Sequence, residues 1–171
     1  MKYDIDRVLV HNVLTDFLLA LNMNDALVSI KENFEKDYCV NVGFITLNLP
    51  MFLDNFTEIS KPFDIMTPVN PVGFDMNPSI SVVEDRIQNT RHNIIAMNVL
   101  GGGSVPIKNA ADYLKSFGRM RECVVGSSKI SHLQEAYEYI VGKREDRSRL
   151  KDEASPAPSS KPGAENAHPL Y

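Results

Sequence analysis

Short apolar runs and amphipathic stretches alternate along this chain. The apolar runs are RVLV (Arg7–Val10), VGFIT (Val42–Thr46), FDIMT (Phe63–Thr67), IIAM (Ile94–Met97) and CVV (Cys123–Val125). Ile94–Met97 is too short for a buried helix and lacks polar/apolar alternation, which fits a parallel strand covered on both faces. Gly101–Gly103 follow it and let the backbone turn sharply. Behind the runs lie helical patterns. Asn24 or Asp25 caps a helix to about Tyr38, with Leu27, Ile30 and Phe34 on one face. Asn48 caps the next, with Pro50 in its first turn and Phe52, Phe56 and Ile59 as its buried stripe.

Further on, Asn77-Pro78-Ser79 announces a helix in which Ser81 and Glu84 have capping-box spacing and Ile80, Val83 and Ile87 share a face. Val105-Pro106 opens another, with Ile107, Ala111, Leu114 and Phe117 inward. Ser131 and Gln134 repeat the capping-box spacing before a stripe of Leu133, Tyr137 and Ile140. Two stretches are less regular. Val13–Asn24 reads either as a short helix or as a packed loop, and Pro68–Gly73 is a stiff connection whose prolines cannot donate to a ladder.

The result is an α/β chain of five βα units, and two architectures accommodate them. A flavodoxin-like doubly wound sheet needs five strands and nothing more. A (β/α)8 TIM barrel needs eight, so the chain would then be a partial barrel. In either, the loops at the carboxyl ends of the strands carry the site.

Composition narrows the partners. The 171 residues are 43% hydrophobic and 23% charged, with net charge −4 and a pI near 5.5, which argues against nucleic acid or an anionic membrane. No apolar run approaches the roughly 18 residues of a membrane span. The start, MKYDIDRV, has no apolar core of a signal peptide, and Cys39 and Cys123 match neither metal nor disulfide spacing, so a cytoplasmic, metal-free protein is expected. After Gly142 the composition changes to mixed charge and then to Pro, Ser, Ala and Gly. Residues 1–142 read as the folded domain and 143–171 as a disordered tail, whose last four residues are a frayed end or a docking peptide.

Four segments carry a family resemblance. IDRVLVHN has an Asp before an apolar strand that ends in His11; FDIMTPVNP, IIAMNVLGGG and VVGSSKISHLQEA follow in order. These resemble the aldo/keto reductases in their active-site His strand, FD-apolar-apolar-Gln…Asn-Pro strand, IAM-x-x-LGGG turn and V-x-G-x-S cofactor helix. The resemblance spans Asp6–Ile140 and implies strands four to eight of a (β/α)8 barrel, ancestral NADP- or NAD-dependent carbonyl reduction, and an oxidoreductase-type site. His11 maps to the catalytic His. The family's Asp, Tyr and Lys belong to earlier strands and have no counterpart here, so catalysis by this chain alone is not expected.

The cofactor positions map unevenly. At the nicotinamide end the family's Ser, Asn and Gln are replaced by Ile45, Thr46 and Thr67; an isoleucine cannot hydrogen-bond, and a threonine is shorter than a glutamine. Gly126, Ser127 and Ser128 precede a helix amino terminus, which favours a phosphate. Lys129 and His132 add charge, and Glu135 matches the adenine-side Glu, although its neighbour is Ala136 where the family has Asn. Ser at a helix start is also an ordinary cap, and His11 also reads as a satisfied histidine at a strand end. The other expectation, from a different class, is a non-catalytic half-barrel that pairs with itself or with another chain completing the barrel, because an open arc has two bare edges. A truncated gene product is a third.

Overall fold

The computed structural model describes residues 5–57, 61–118 and 120–142. The predicted tail, 143–171, lies outside the described residues, as does Ile59. The elements run β1 (Arg7–Val10), α1 (Asn12–Ala20), α2 (Asn24–Tyr38), β2 (Asn41–Ile45), α3 (Leu49–Asn55), β3 (Asp64–Pro68), α4 (Ile80–Asn89), β4 (Asn93–Met97), a 3-10 turn (Gly101–Gly103), α5 (Ile107–Ser116), β5 (Glu122–Cys123) and α6 (Ile130–Ile140). The five strands form one parallel sheet in the order β1-β2-β3-β4-β5. A flavodoxin-like sheet reverses its strand order at a switch point. This sheet runs in sequence order without reversal, so the doubly wound alternative is excluded.

Local chemistry accounts for most boundaries. The ambiguous stretch after His11 is helical: His11 caps α1, its Nδ1 accepting from the Val13 N–H at 3.3 Å. Asn48 caps α3 by accepting from the Met51 N–H, with Pro50 in the first turn as expected. For α4 the cap is Ser79, two residues ahead of the Ser81 box. Asn24 is the first residue of α2 and not its cap, since its amide donates across to Asn55 at 2.8 Å. Pro68 does not stop β3. It is the last strand residue, level with Met97, and the Val69 N–H continues the bonding to the Met97 carbonyl.

One face of the sheet is covered by helices. Phe44, Ile65 and Ala96 lie there, fully buried against Leu19, Leu27, Leu49 and Phe52. Phe44, Phe52, Phe56 and Phe63 stack tilted or edge-on with centroids 4.9–6.0 Å apart, the spacing aromatic quadrupoles favour.

Alternation along the strands puts Arg7, Gly43, Asp64, Asn93, Ile95 and Glu122 on the opposite, inner face. Gly43 is there because nothing larger fits. A Cβ at that position would stand 2.4 Å from the Asp64 carbonyl oxygen and 2.7 Å from Leu9 Cδ2.

The inner face is strongly curled. Arg7 of β1 pairs with Asp64 of β3 at 2.7 Å and with Glu122 of β5 at 2.5 Å. Four interstrand gaps in a flat sheet would separate β1 from β5 by about 19 Å. An arginine and a glutamate at full stretch span only about 14 Å between backbones. The two edge strands therefore face each other across a concave surface.

Candidate functional site

The loops at the carboxyl ends of the strands are tied to one another by side chains. Asp16 of α1 accepts from the Thr46 hydroxyl at 2.5 Å and from the Leu47 N–H at 3.0 Å. The Asn77 amide donates to the Leu47 carbonyl, joining the loops after β3 and β2. Asn98 donates to Asp75 at 3.0 Å, joining those after β4 and β3. Asn70, fully buried, closes its own loop by a reciprocal pair with Phe74: its amide donates to the Phe74 carbonyl and its oxygen accepts the Phe74 N–H, both at 2.8 Å.

The glycine turn belongs to this rim. Gly101, Gly102 and Gly103 all have positive φ (52°, 66° and 91°), which only glycine adopts readily. Val72 and the Phe74 ring from the preceding loop lie against Gly101 and Gly102. The glycines thus serve the turn and a close loop–loop contact.

The sequence-predicted residues occupy this end but do not converge. His11 is exposed, with Nδ1 engaged in the α1 cap. Thr46 is fully buried; its hydroxyl donates to Asp16 and accepts from the Asn48 N–H at 3.0 Å. Thr67 is buried two residues after Ile65, hence on the helix-covered face. Ile45 is the inner-face residue of that turn. No hydrogen-bonding side chain among Ile45, Thr46 and Thr67 is turned to the inner face.

Gly126, Ser127, Ser128 and Lys129 are exposed after β5, on the strand at the other edge from His11. Ser127 Oγ accepts from the Lys129 N–H at 3.1 Å. Lys129 is the N-cap of α6 and supplies no side-chain cap, so the first-turn N–H groups are not taken by one. His132 and Glu135 lie exposed on the same helix.

Comparison with protein-family models, curated proteins and solved structures finds no match.

Two features were missed in the sequence. His92 is buried at the amino end of β4. Its Nδ1 accepts the Phe63 N–H at 3.0 Å, and a backbone hydrogen bond links the ring to Phe56. Burial, reinforced by Arg91, holds its pKa below the ordinary histidine value. His92, Asn93, Arg121 and Glu122 line a hollow of about 330 Å³. That hollow opens at the amino ends of the strands, opposite the loop rim. With His92, Asn93 and Glu122 bonded within the fold, it gives no reason to move the site there.

The second feature is α6. The predicted inward stripe of Leu133, Tyr137 and Ile140 is not buried; only Ala136 is, and Ile130, Leu133, Tyr137 and Val141 are exposed, Ile130 at 76%. The helix packs on α5, and among the described residues no strand lies beyond β5 to cover that face. α1 likewise exposes Val13, Leu14, Phe17 and Leu21 at helical spacing. Among the described residues no His/Cys/Asp/Glu group has the arrangement of a metal site, and no helix is long and apolar enough to cross a membrane.

Proposed function

We propose that the chain is an arc of an aldo/keto-reductase-like (β/α)8 barrel that acts by associating with a further chain or copy and does not reduce carbonyls alone. The observation that carries this reading is the Arg7–Glu122 pair between the two edge strands. Eight strands at ordinary spacing, tilted about 36°, enclose a ring about 15 Å across, in which the first and fifth strands face each other. A pair reaching about 14 Å suits that ring.

Register agrees with it. Arg7 is level with Asn41, and the β2–β3 offset puts Asn41 level with Pro62, so Asp64 lies two residues on. Asp64 is level with Asn93 and then Met120, and Glu122 again lies two residues on. An advance of one residue per strand is a shear of about eight over eight strands. The uncovered apolar face of α6 beside an open strand edge supports association, since exposed edges and contiguous apolar patches are interaction sites or aggregation liabilities.

The nicotinamide end supports no cofactor grip, because Thr46 is committed to Asp16 and Thr67 faces the helices. The amino terminus of α6 favours a second, narrower reading: a relic phosphate site for NADP or NAD, formed by Gly126, Ser127, Ser128 and Lys129, with His132 and Glu135 beside it.

Sedimentation of the isolated chain, with an NADPH-oxidation assay on an aldehyde, tests the main reading. The expected result is a species larger than the monomer and no oxidation. A cooperatively folding monomer with a hidden apolar surface, or measurable turnover, refutes it. Titration with NADPH and with adenosine 2′,5′-bisphosphate, on wild type and Lys129→Ala, tests the relic site. Equal near-millimolar affinities, weakened by the substitution, support it.

A further inference from the structure

The inner face is organised in levels, and their content specifies what would close the arc; this step rests on the reading of the chain as an arc of an eight-stranded ring. Arg7, Asp64 and Glu122 come from alternate strands, each two residues beyond the level of the one before. In an eight-stranded parallel ring each interior level has four members from alternate strands. Three are present. The fourth position belongs to the middle of three strands that would fill the gap from β5 round to β1.

Charge says what that residue must be. The level holds one cation and two carboxylates, a formal surplus of one negative charge. Asn93 donates to Asp64 at 2.9 Å but is neutral. The Glu122 side chain is 48% exposed, so water solvates it in the open arc. Closure removes that water, and a carboxylate taken inside without a full counter-charge is heavily penalised. One level further along the strands, Leu9, Met66 and Val124 occupy the equivalent positions, and Val124 is half exposed. That level is apolar.

We propose that the gap between β5 and β1 takes three parallel βα strands from a partner segment. Its middle strand presents a lysine or arginine to Arg7, Asp64 and Glu122, and an apolar residue two positions later to Val124. A second copy of the arc can associate through the open edge and the apolar face of α6, but it does not close this ring. Ten strands at the same spacing and tilt make a ring about 19 Å across, wider than the Arg7–Glu122 pair can bridge.

The test is a selection. Three-βα-unit fragments cut from eight-stranded barrels, randomised at the inward positions of the middle strand, are displayed and selected against the full chain. Parallel selections use Glu122→Gln and Asp64→Asn, each of which neutralises the level and is first checked for folding by circular dichroism. With the wild-type chain, fragments carrying Lys or Arg at the charged level and an apolar residue two positions on are expected to bind about tenfold tighter than neutral ones. With either variant that preference should vanish. Binders with the same residue preference for all three chains overturn the charge inference and leave the arc standing. Absence of binders to any of them overturns the arc as well.

Discussion

Replacing Gly43 by alanine tests the curl of the sheet at its tightest point. The added Cβ would meet the Asp64 carbonyl oxygen at 2.4 Å, Leu9 Cδ2 at 2.7 Å and Asp64 Cβ at 2.9 Å. Reaching ordinary contact needs a shift of roughly 1 Å. The first obstacle is backbone of the neighbouring strand, so a side-chain rotation cannot relieve it. Overpacking of this kind costs about 1–3 kcal/mol, and removing a glycine from the unfolded chain returns about 0.4–1 kcal/mol. A net loss of about 1–2 kcal/mol is expected, read as a lower urea midpoint at unchanged slope. Gly126→Ala is the control: its Cβ would meet nothing within 4 Å and its φ is not positive, so stability should stay within about 0.5 kcal/mol. Adding Leu9→Ala to Gly43→Ala should restore only part of the loss, because the backbone contact remains. A Gly43→Ala protein as stable as wild type would refute the close approach of β3 over β2, and with it the curl that brings Arg7 to Glu122.

Three further outcomes follow from the rim and from His92. Thr46→Val strands the Asp16 carboxylate oxygen and the Asn48 N–H and should cost about 1.5–3 kcal/mol; a double-mutant cycle with Asp16→Asn should show coupling, and additive losses would contradict the assigned bond. Asn70→Ala removes both bonds that this buried side chain makes to Phe74 and should cost about 2–4 kcal/mol, measured by thermal denaturation; a loss under about 0.5 kcal/mol would count against the loop closure. Because the His92 pKa is lowered in the fold, its contribution to stability is fully present above the ordinary value of 6.5 and is lost as pH falls from there through the lowered value, where it levels off. Chemical denaturation across that window should give a His92→Gln profile flatter than wild type, and parallel profiles would exclude His92 as the titrating group.

Architecture was legible wherever it depended on local pattern. Five apolar runs gave five parallel strands, and Asn48-Leu49-Pro50 gave a capped helix, because short-range chemistry alone decides those. Boundaries moved where a long-range partner outweighed local preference. Asn24 is drawn into α2 while its amide reaches Asn55, 31 residues on, and Pro68 stays in β3 because its carbonyl side of the ladder remains usable. The helix after His11 was ambiguous for a physical reason. Leu18 and Leu19 are buried while Phe17 and Leu21 are exposed, so its apolar residues surround the axis and no stripe emerges. The same signal misled at α6, where Leu133 and Tyr137 do form a stripe but no strand among the described residues stands beyond β5 to cover it.

The site was legible only as an address. Position along the chain brings His11, Thr46, Thr67 and Gly126–Lys129 to one end of the sheet, and that much follows from strand order. Which face each residue takes depends on a period of two, and a shift of one residue exchanges the faces. Thr46 and Thr67 fall on the helix-covered face because Phe44 and Ile65, two residues earlier, anchor the core. Phase therefore gives the helix side the threonines and the inner face Ile45 and Met66, a lining that packs against apolar groups and cannot orient a carboxamide. The charged level lay beyond any local reading, since Arg7 and Glu122 are 115 residues apart and neither sits in a motif. It is nonetheless the feature that says most about the sheet, because an ion pair reaching from edge strand to edge strand requires the five strands to curl until β1 and β5 face each other.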